Sequence, residues 1–201
     1  MEIHEGSDRT PAGSCKGCAE RITRRRAMIQ AGLGLALIPA AFAAQADSAS
    51  APPQAGDLLV RLSDKSLKFL RPDDVVLGAP PLHAWPIVQA SNVARNQNRL
   101  NELLLLRLDP ATLNDETRSI SVDGVLAYSA LCTHAGCIIN DWIPSQNVLA
   151  CDCHASEFDP REAGKVADGP AAHPLPPLPL KVASGNLVVA KPFAVAIRFD
   201  E

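Results

Sequence analysis

The sequence predicts an all-β, antiparallel domain behind an N-terminal extension, and three observations point to it. Short apolar runs of four to seven residues recur between residues 58 and 199, each bounded by turn residues. Seventeen prolines are spread along the chain, and each removes a backbone donor and fixes φ, which argues against long helices. Asp123-Gly124 and Ser184-Gly185-Asn186 are hairpin-type turns between such runs. The chain has 201 residues, which suits one domain plus an extension. A body of roughly 155 residues buries about two-thirds of its extended surface, enough for a real core.

Taken in order, the expected strands are Leu58–Leu62, then Leu103–Leu108, whose unbroken leucines suit a buried strand or a helix equally. Ser119–Val122 and Gly124–Ala130 flank the turn at Asp123-Gly124, and Val148–Cys151, Leu178–Val182, Leu187–Ala190 and Phe193–Phe199 follow. Residues 47–57, DSASAPPQAGD, have the small and proline-bearing composition of a linker. Gly169 to Pro179 is proline-dense, too stiff and donor-poor for a central strand, and reads as a rigid wall. No internal repeat is present.

The first 46 residues read as an address. Arg24, Arg25 and Arg26 form a basic n-region, Ala31 to Ala44 a small and apolar run, and A-A-Q-A a cleavage site ahead of Asp47. The arginines belong on the cytoplasmic side, so the body is expected to be exported. Arg25-Arg26-Ala27-Met28-Ile29-Gln30 resembles a twin-arginine signal, which implies export of a folded, cofactor-loaded protein. Cleavage near Ala46 is the expectation. If the segment is kept, residues 27–46 have only Gln30 and Gln45 as polar residues and are long enough to anchor in a membrane. Cys15 and Cys18 form a C-x-x-C pair, half of what a metal site wants, and read as reduced thiols in a tail.

Formal net charge is −3, with six Lys/Arg against four Asp/Glu in the first 46 residues and thirteen against eighteen in the rest. That leaves no footprint for nucleic acid. Nor is there a catalytic triad, a phosphate loop or a defensible carboxylate pair, so the chain does not read as a stand-alone enzyme.

Chemistry concentrates in two packets, CTHAGC at 132–137 and CDCHAS at 151–156, which hold four of six cysteines and two of five histidines. Cys132, His134, Cys151 and His154 supply two thiolates and two imidazoles. Such a set suits a tetrahedral zinc, or a 2Fe–2S cluster with its irons ligated unequally. Cys137 and Cys153 are surplus to a zinc site.

C-T-H-A-G-C and C-D-C-H-A-S resemble the two cluster-binding boxes of Rieske iron–sulfur proteins, usually C-T-H-L-G-C and C-P-C-H-G-S, and the resemblance runs from about Gly124 to Lys181. It implies one 2Fe–2S cluster, with Cys132 and Cys151 on the buried iron and His134 and His154 on the outer iron. It also implies a Cys137–Cys153 disulfide and a proline loop, Gly169–Pro179, over the cluster. The implied fold is a β base domain with a small cluster-binding subdomain, about residues 131–170, inserted. Ser156 matches a serine that donates to a bridging sulfide in respiratory members. Phe158 replaces a tyrosine that donates to a cysteine sulfur, and Glu157 adds a negative charge beside it, so a lower potential is expected than in quinol-oxidising members. Ala135 replaces a leucine near the quinone site, which weakens the case for quinol as the direct partner. The run HASEFDPREAGK also resembles the small subunit of arsenite oxidase. The implied partners are a catalytic or quinol-oxidising subunit and a cytochrome c-type acceptor. An oxygenase role fits poorly, because only His4, His83 and His173 remain for a mononuclear iron.

Overall fold

The computed structural model describes residues 48–200 apart from Lys65. The arginine motif, the segment 27–46 and the Cys15/Cys18 pair lie outside the described residues. Eleven strands are described: β1 (Leu58–Arg61), β2 (Leu82–Val88), β3 (Val93–Ala94), β4 (Leu103–Arg107), β5 (Val125–Ser129), β6 (Asp141–Ile143), β7 (Val148–Cys151), β8 (Ser156–Asp159), β9 (Lys165–Asp168), β10 (Leu180–Ala183) and β11 (Asn186–Val189). One sheet runs β10-β11-β1-β2-β4-β5, with β3 added to β2, and a second runs β6-β7-β8-β9. Every ladder in both sheets is antiparallel. The domain is therefore all-β. The smaller sheet is formed by chain that leaves after β5 and returns before β10.

The leucine run is a strand, not a helix, because both of its faces are buried. Successive side chains of a strand point to opposite faces. Leu104 and Leu106 enter one core with Leu126 and Tyr128, while Leu103 and Leu105 enter a second with Val125 and Ala127. The β4–β5 pair is thus a wall between two cores. Cys132 and Cys151 lie in the first of them.

β2, the longest strand, has no counterpart among the expected runs, because Pro86 interrupts it. The proline is tolerated by register. Opposite it, Leu59 turns its carbonyl away from β2, toward the Leu70 amide, so no ladder bond to β1 is lost. On its other side, β2 passes from pairing with β4 to pairing with β3.

Two expected strands are corrected. Ser119 and Ile120 end helix α1 (Asp115–Ile120), Ser121 caps it, and Val122 keeps only an isolated bridge to Val125. Asn114 caps the start of the helix by accepting from the Thr117 amide at 2.8 Å, and Asp115 and Glu116 suit the positive end of its first turn. Phe193–Phe199 forms no strand. It leaves β11 through Pro192 and shares a groove with Pro52, Asn98 and Leu100.

Residues 48–57, whose composition reads as a linker, pack against the body. Ala49 is buried. The Arg95 guanidinium donates to the Ser48 carbonyl at 3.0 Å and to the Asp57 carboxylate at 2.6 Å, and both ionic side chains are more than nine-tenths buried. Asn101 adds a bond to the Ala51 carbonyl at 2.9 Å.

Candidate metal centre

The first packet is a tight loop on a narrow neck beyond β5. Leu131 and Ile138 bridge at its base. Above them the Cys132 amide donates to the Cys137 carbonyl at 2.8 Å and the Gly136 amide to the Cys132 carbonyl at 2.9 Å. The turn needs Gly136 at φ +70°, where a side chain is strained. The second packet joins β7 to β8. The Ala155 amide closes it on the Cys151 carbonyl at 2.9 Å, and Cys151 pairs with Ser156 across the ladder.

These two turns bring the sequence-derived ligand candidates to one end of the molecule. Cys132 and Cys151 are free thiols at 1% exposure each. His134 is half-buried and His154 exposed, and their rings stand edge to face with centroids 4.8 Å apart. Nδ1 of His134 is buried without a hydrogen-bond partner, an uncommon condition for a buried polar atom. Burial pushes the Cys151 thiol upward, and the neighbouring Cys132 sulfur adds to the shift. A buried thiol with a raised pKa, such as that of Cys151, resists ionisation unless a cation takes the proton's place.

Cys137 and Cys153 are joined by a disulfide that ties one packet to the other. The sulfurs of Cys137, Cys151 and Cys153 lie within 4.8 Å of one another, but only Cys151 among the three has a free thiol. Ser156 is fully buried. Its hydroxyl oxygen accepts from the Ala171 amide at 3.2 Å, leaving its proton to be donated elsewhere.

The proline-dense segment is fastened to both packets. Gly169 (φ +88°) rests against the Ala155–Ser156 peptide, where a Cβ would lie 2.4 Å from the Ala155 carbonyl oxygen. The Thr133 hydroxyl donates to the His173 carbonyl at 2.6 Å. Farther on, the Leu178 amide donates to the Ala127 carbonyl at 2.8 Å, returning the chain to β5. Sequence reasoning missed Thr133, although it sits inside a packet. It also missed Arg99, which donates to the Gly136 carbonyl, and Asp200, whose amide donates to the Thr133 and His134 carbonyls; both come from remote parts of the chain and leave no local signal. Phe158 is fully buried. Trp142 packs at the edge of the same core.

Residues 85–179 match the family model for the Rieske [2Fe-2S] domain. The chain is 35% identical over 130 residues to a cytochrome bc1 complex Rieske iron–sulfur subunit of Streptomyces lividans, covering 63% of this chain and 75% of that one. It is equally similar, over the same share of its own length, to the Streptomyces coelicolor protein of that name, of which the match spans only 36%. It is 41% identical over 69 residues, 34% of this chain and 30% of the other, to a putative respiratory nitrate reductase subunit Rieske of Haloferax mediterranei.

Proposed function

The chain belongs to the Rieske [2Fe–2S] family, and from that premise we propose that it transfers single electrons as the iron–sulfur subunit of an exported or membrane-bound oxidoreductase. The observations that carry this reading are two free buried thiols, Cys132 beside Cys151, on loops tied by a disulfide, and two imidazoles in ring contact, one with an orphaned ring nitrogen. That donor set fits the family's cofactor. Cys132 and Cys151 would hold it from the core side, and His134 and His154 from the solvent side. When bound, a cluster of this type takes up and releases one electron, at roughly −150 to +300 mV because neutral imidazoles replace two thiolates.

The protein's own groups determine how that electron is exchanged. The apolar core behind Cys132 and Cys151 keeps water from the buried side. His154 is exposed, so its edge is the short route to a partner. Ser156 has a proton to donate toward the site, which stabilises added negative charge, whereas Phe158 has none to give. The midpoint potential is accordingly lower than that of quinol-oxidising members with tyrosine at this position.

The names of the relatives favour a multi-subunit complex. A quinol-oxidising cytochrome bc-type complex is one assignment, and a catalytic molybdenum subunit is the other; each would pass electrons on to a cytochrome c-type acceptor. Residence on the outer face of the cytoplasmic membrane is supported by the twin-arginine-like leader and by a disulfide, which persists in oxidising compartments. Metal and acid-labile sulfide analysis with EPR of the reduced protein tests the cofactor. Iron and sulfide in equal amounts are expected, and zinc without iron refutes the assignment. Affinity isolation from membranes separates the two complexes by the subunit recovered.

A further inference from the structure

We propose that Asp200 and Arg99 are positioning residues of the cluster pole and that they shift its reduction potential in opposite directions. The inference rests on the four-ligand reading above. The Asp200 amide donates to the carbonyls of Thr133 and His134 at 3.1 and 3.0 Å. Its carboxylate accepts from the Ala172 amide at 2.9 Å and lies 3.7 Å from Nε2 of His173. The Thr133 hydroxyl bonds the His173 carbonyl, so Asp200 closes a ring between the first packet and the proline loop. On the same packet, the Arg99 guanidinium donates to the Gly136 carbonyl. The Phe199 ring lies over Gly136, where an added Cβ would come within 3.2–3.3 Å of two ring carbons and of the Arg99 nitrogen.

The backbone that carries His134 is thus held between an anion and a cation. Reduction adds negative charge to the pole. A fixed carboxylate opposes that charge and a guanidinium favours it. The Asp200 side chain is 21% exposed, so its field is only partly screened, while Arg99 is an exposed residue and acts more weakly.

Redox titration of the holoprotein, followed by EPR, separates this from simple clamping. Asp200→Asn keeps the main-chain donor and a side-chain acceptor but removes the charge, and is expected to raise the potential. Arg99→Gln is expected to lower it by less, and both shifts should shrink as salt is added. Two shifts of the same sign, or none, overturn the proposal. In the unmodified protein the Asp200 amide is expected to exchange slowly with deuterated solvent. Exchange at the rate of an unprotected amide overturns the clamp whether or not the variants fold. Failure of the ligand reading shows separately, as missing iron and sulfide in the unmodified protein.

Discussion

In the seven-stranded sheet, neighbouring residues of β4 and β5 bury toward two different cores, whereas the four-stranded sheet buries one face and fastens the rest by other means. β8 alternates buried Ser156 and Phe158 with half-exposed Glu157 and Asp159, and three of the four residues of β9 are exposed. The smaller sheet is tied to the body by polar bonds: the Tyr128 hydroxyl to the Pro160 carbonyl at 2.7 Å, and the Ala163 amide to the Thr117 hydroxyl at 2.8 Å. The Arg161 guanidinium grips Asp159 at 2.5 Å within it, and the disulfide joins its packet to the first. Each fully buried leucine of β4 contributes about 1.5–3 kcal/mol, so the body supports itself. The smaller sheet leans on covalent, polar and metal fasteners, and the contrast predicts where each kind of damage stops.

The largest effect is expected from removing a proposed ligand. Cys132→Ser is expected to abolish the visible absorption and EPR signal while the far-ultraviolet circular dichroism of the β body survives. Loss of the whole β signal would show that the body depends on the cluster after all. Removing both Cys137 and Cys153 by alanine substitution is next. A closed loop of this length is worth about 3 kcal/mol, so the cluster should bleach at lower denaturant than in the unmodified protein. The body's own unfolding midpoint, read by circular dichroism, should hardly move. Coincident loss of both signals would erase the distinction between the two sheets.

The same contrast governs what could be read from the sequence. β4, β5, β7, β10 and β11 were legible because apolar side chains dominate them and turn residues bound them. β6, β8 and β9 were not, since three- and four-residue strands such as Ser156–Asp159 alternate too briefly to stand out. β2 was hidden by Pro86, whose acceptability depends on a register that only the folded sheet defines. Ser119–Val122 was misread because Asn114 and two acids start a helix ahead of it. The two packets stood out from residue types and spacing, and their mutual disulfide and ring contact are what the fold adds. The contacts of Asp200 and Arg99 were not, because they arise from chain segments brought together only in three dimensions.

A smaller effect is expected within the core that both sheets share. Phe158 is fully buried beside Cys151, Leu149 and Tyr128. Phe158→Tyr adds a hydroxyl that must find an acceptor there. Donation to a sulfur stabilises the more negative reduced state by about 1 kcal/mol, or roughly 40 mV for one electron. The potential should therefore rise, and redox titration reads it directly. An unchanged or lower potential, with stability reduced by the roughly 1–3 kcal/mol of an unsatisfied buried hydroxyl, would show that the side chain lies out of reach of the site.

The smallest effect concerns backbone alone. Ala155 holds φ +58° in the second packet, a left-handed conformation that costs a residue with a Cβ roughly 1–2 kcal/mol. The position is dictated from both sides. The Ala155 amide closes the turn on Cys151, and Gly169 lies so close to the Ala155 carbonyl that a Cβ there would come within 2.4 Å of its oxygen. Glycine removes the strain and gives back roughly 0.5–1 kcal/mol through the greater freedom of the unfolded chain. Ala155→Gly should therefore stabilise the holoprotein by up to about 1 kcal/mol, raising its melting temperature by about 2–4 °C. Because the gain is confined to a turn of the smaller sheet, it should also slow bleaching of the cluster on heating. A lower melting temperature would mean that the Ala155 methyl group, not the turn geometry, governs this packet.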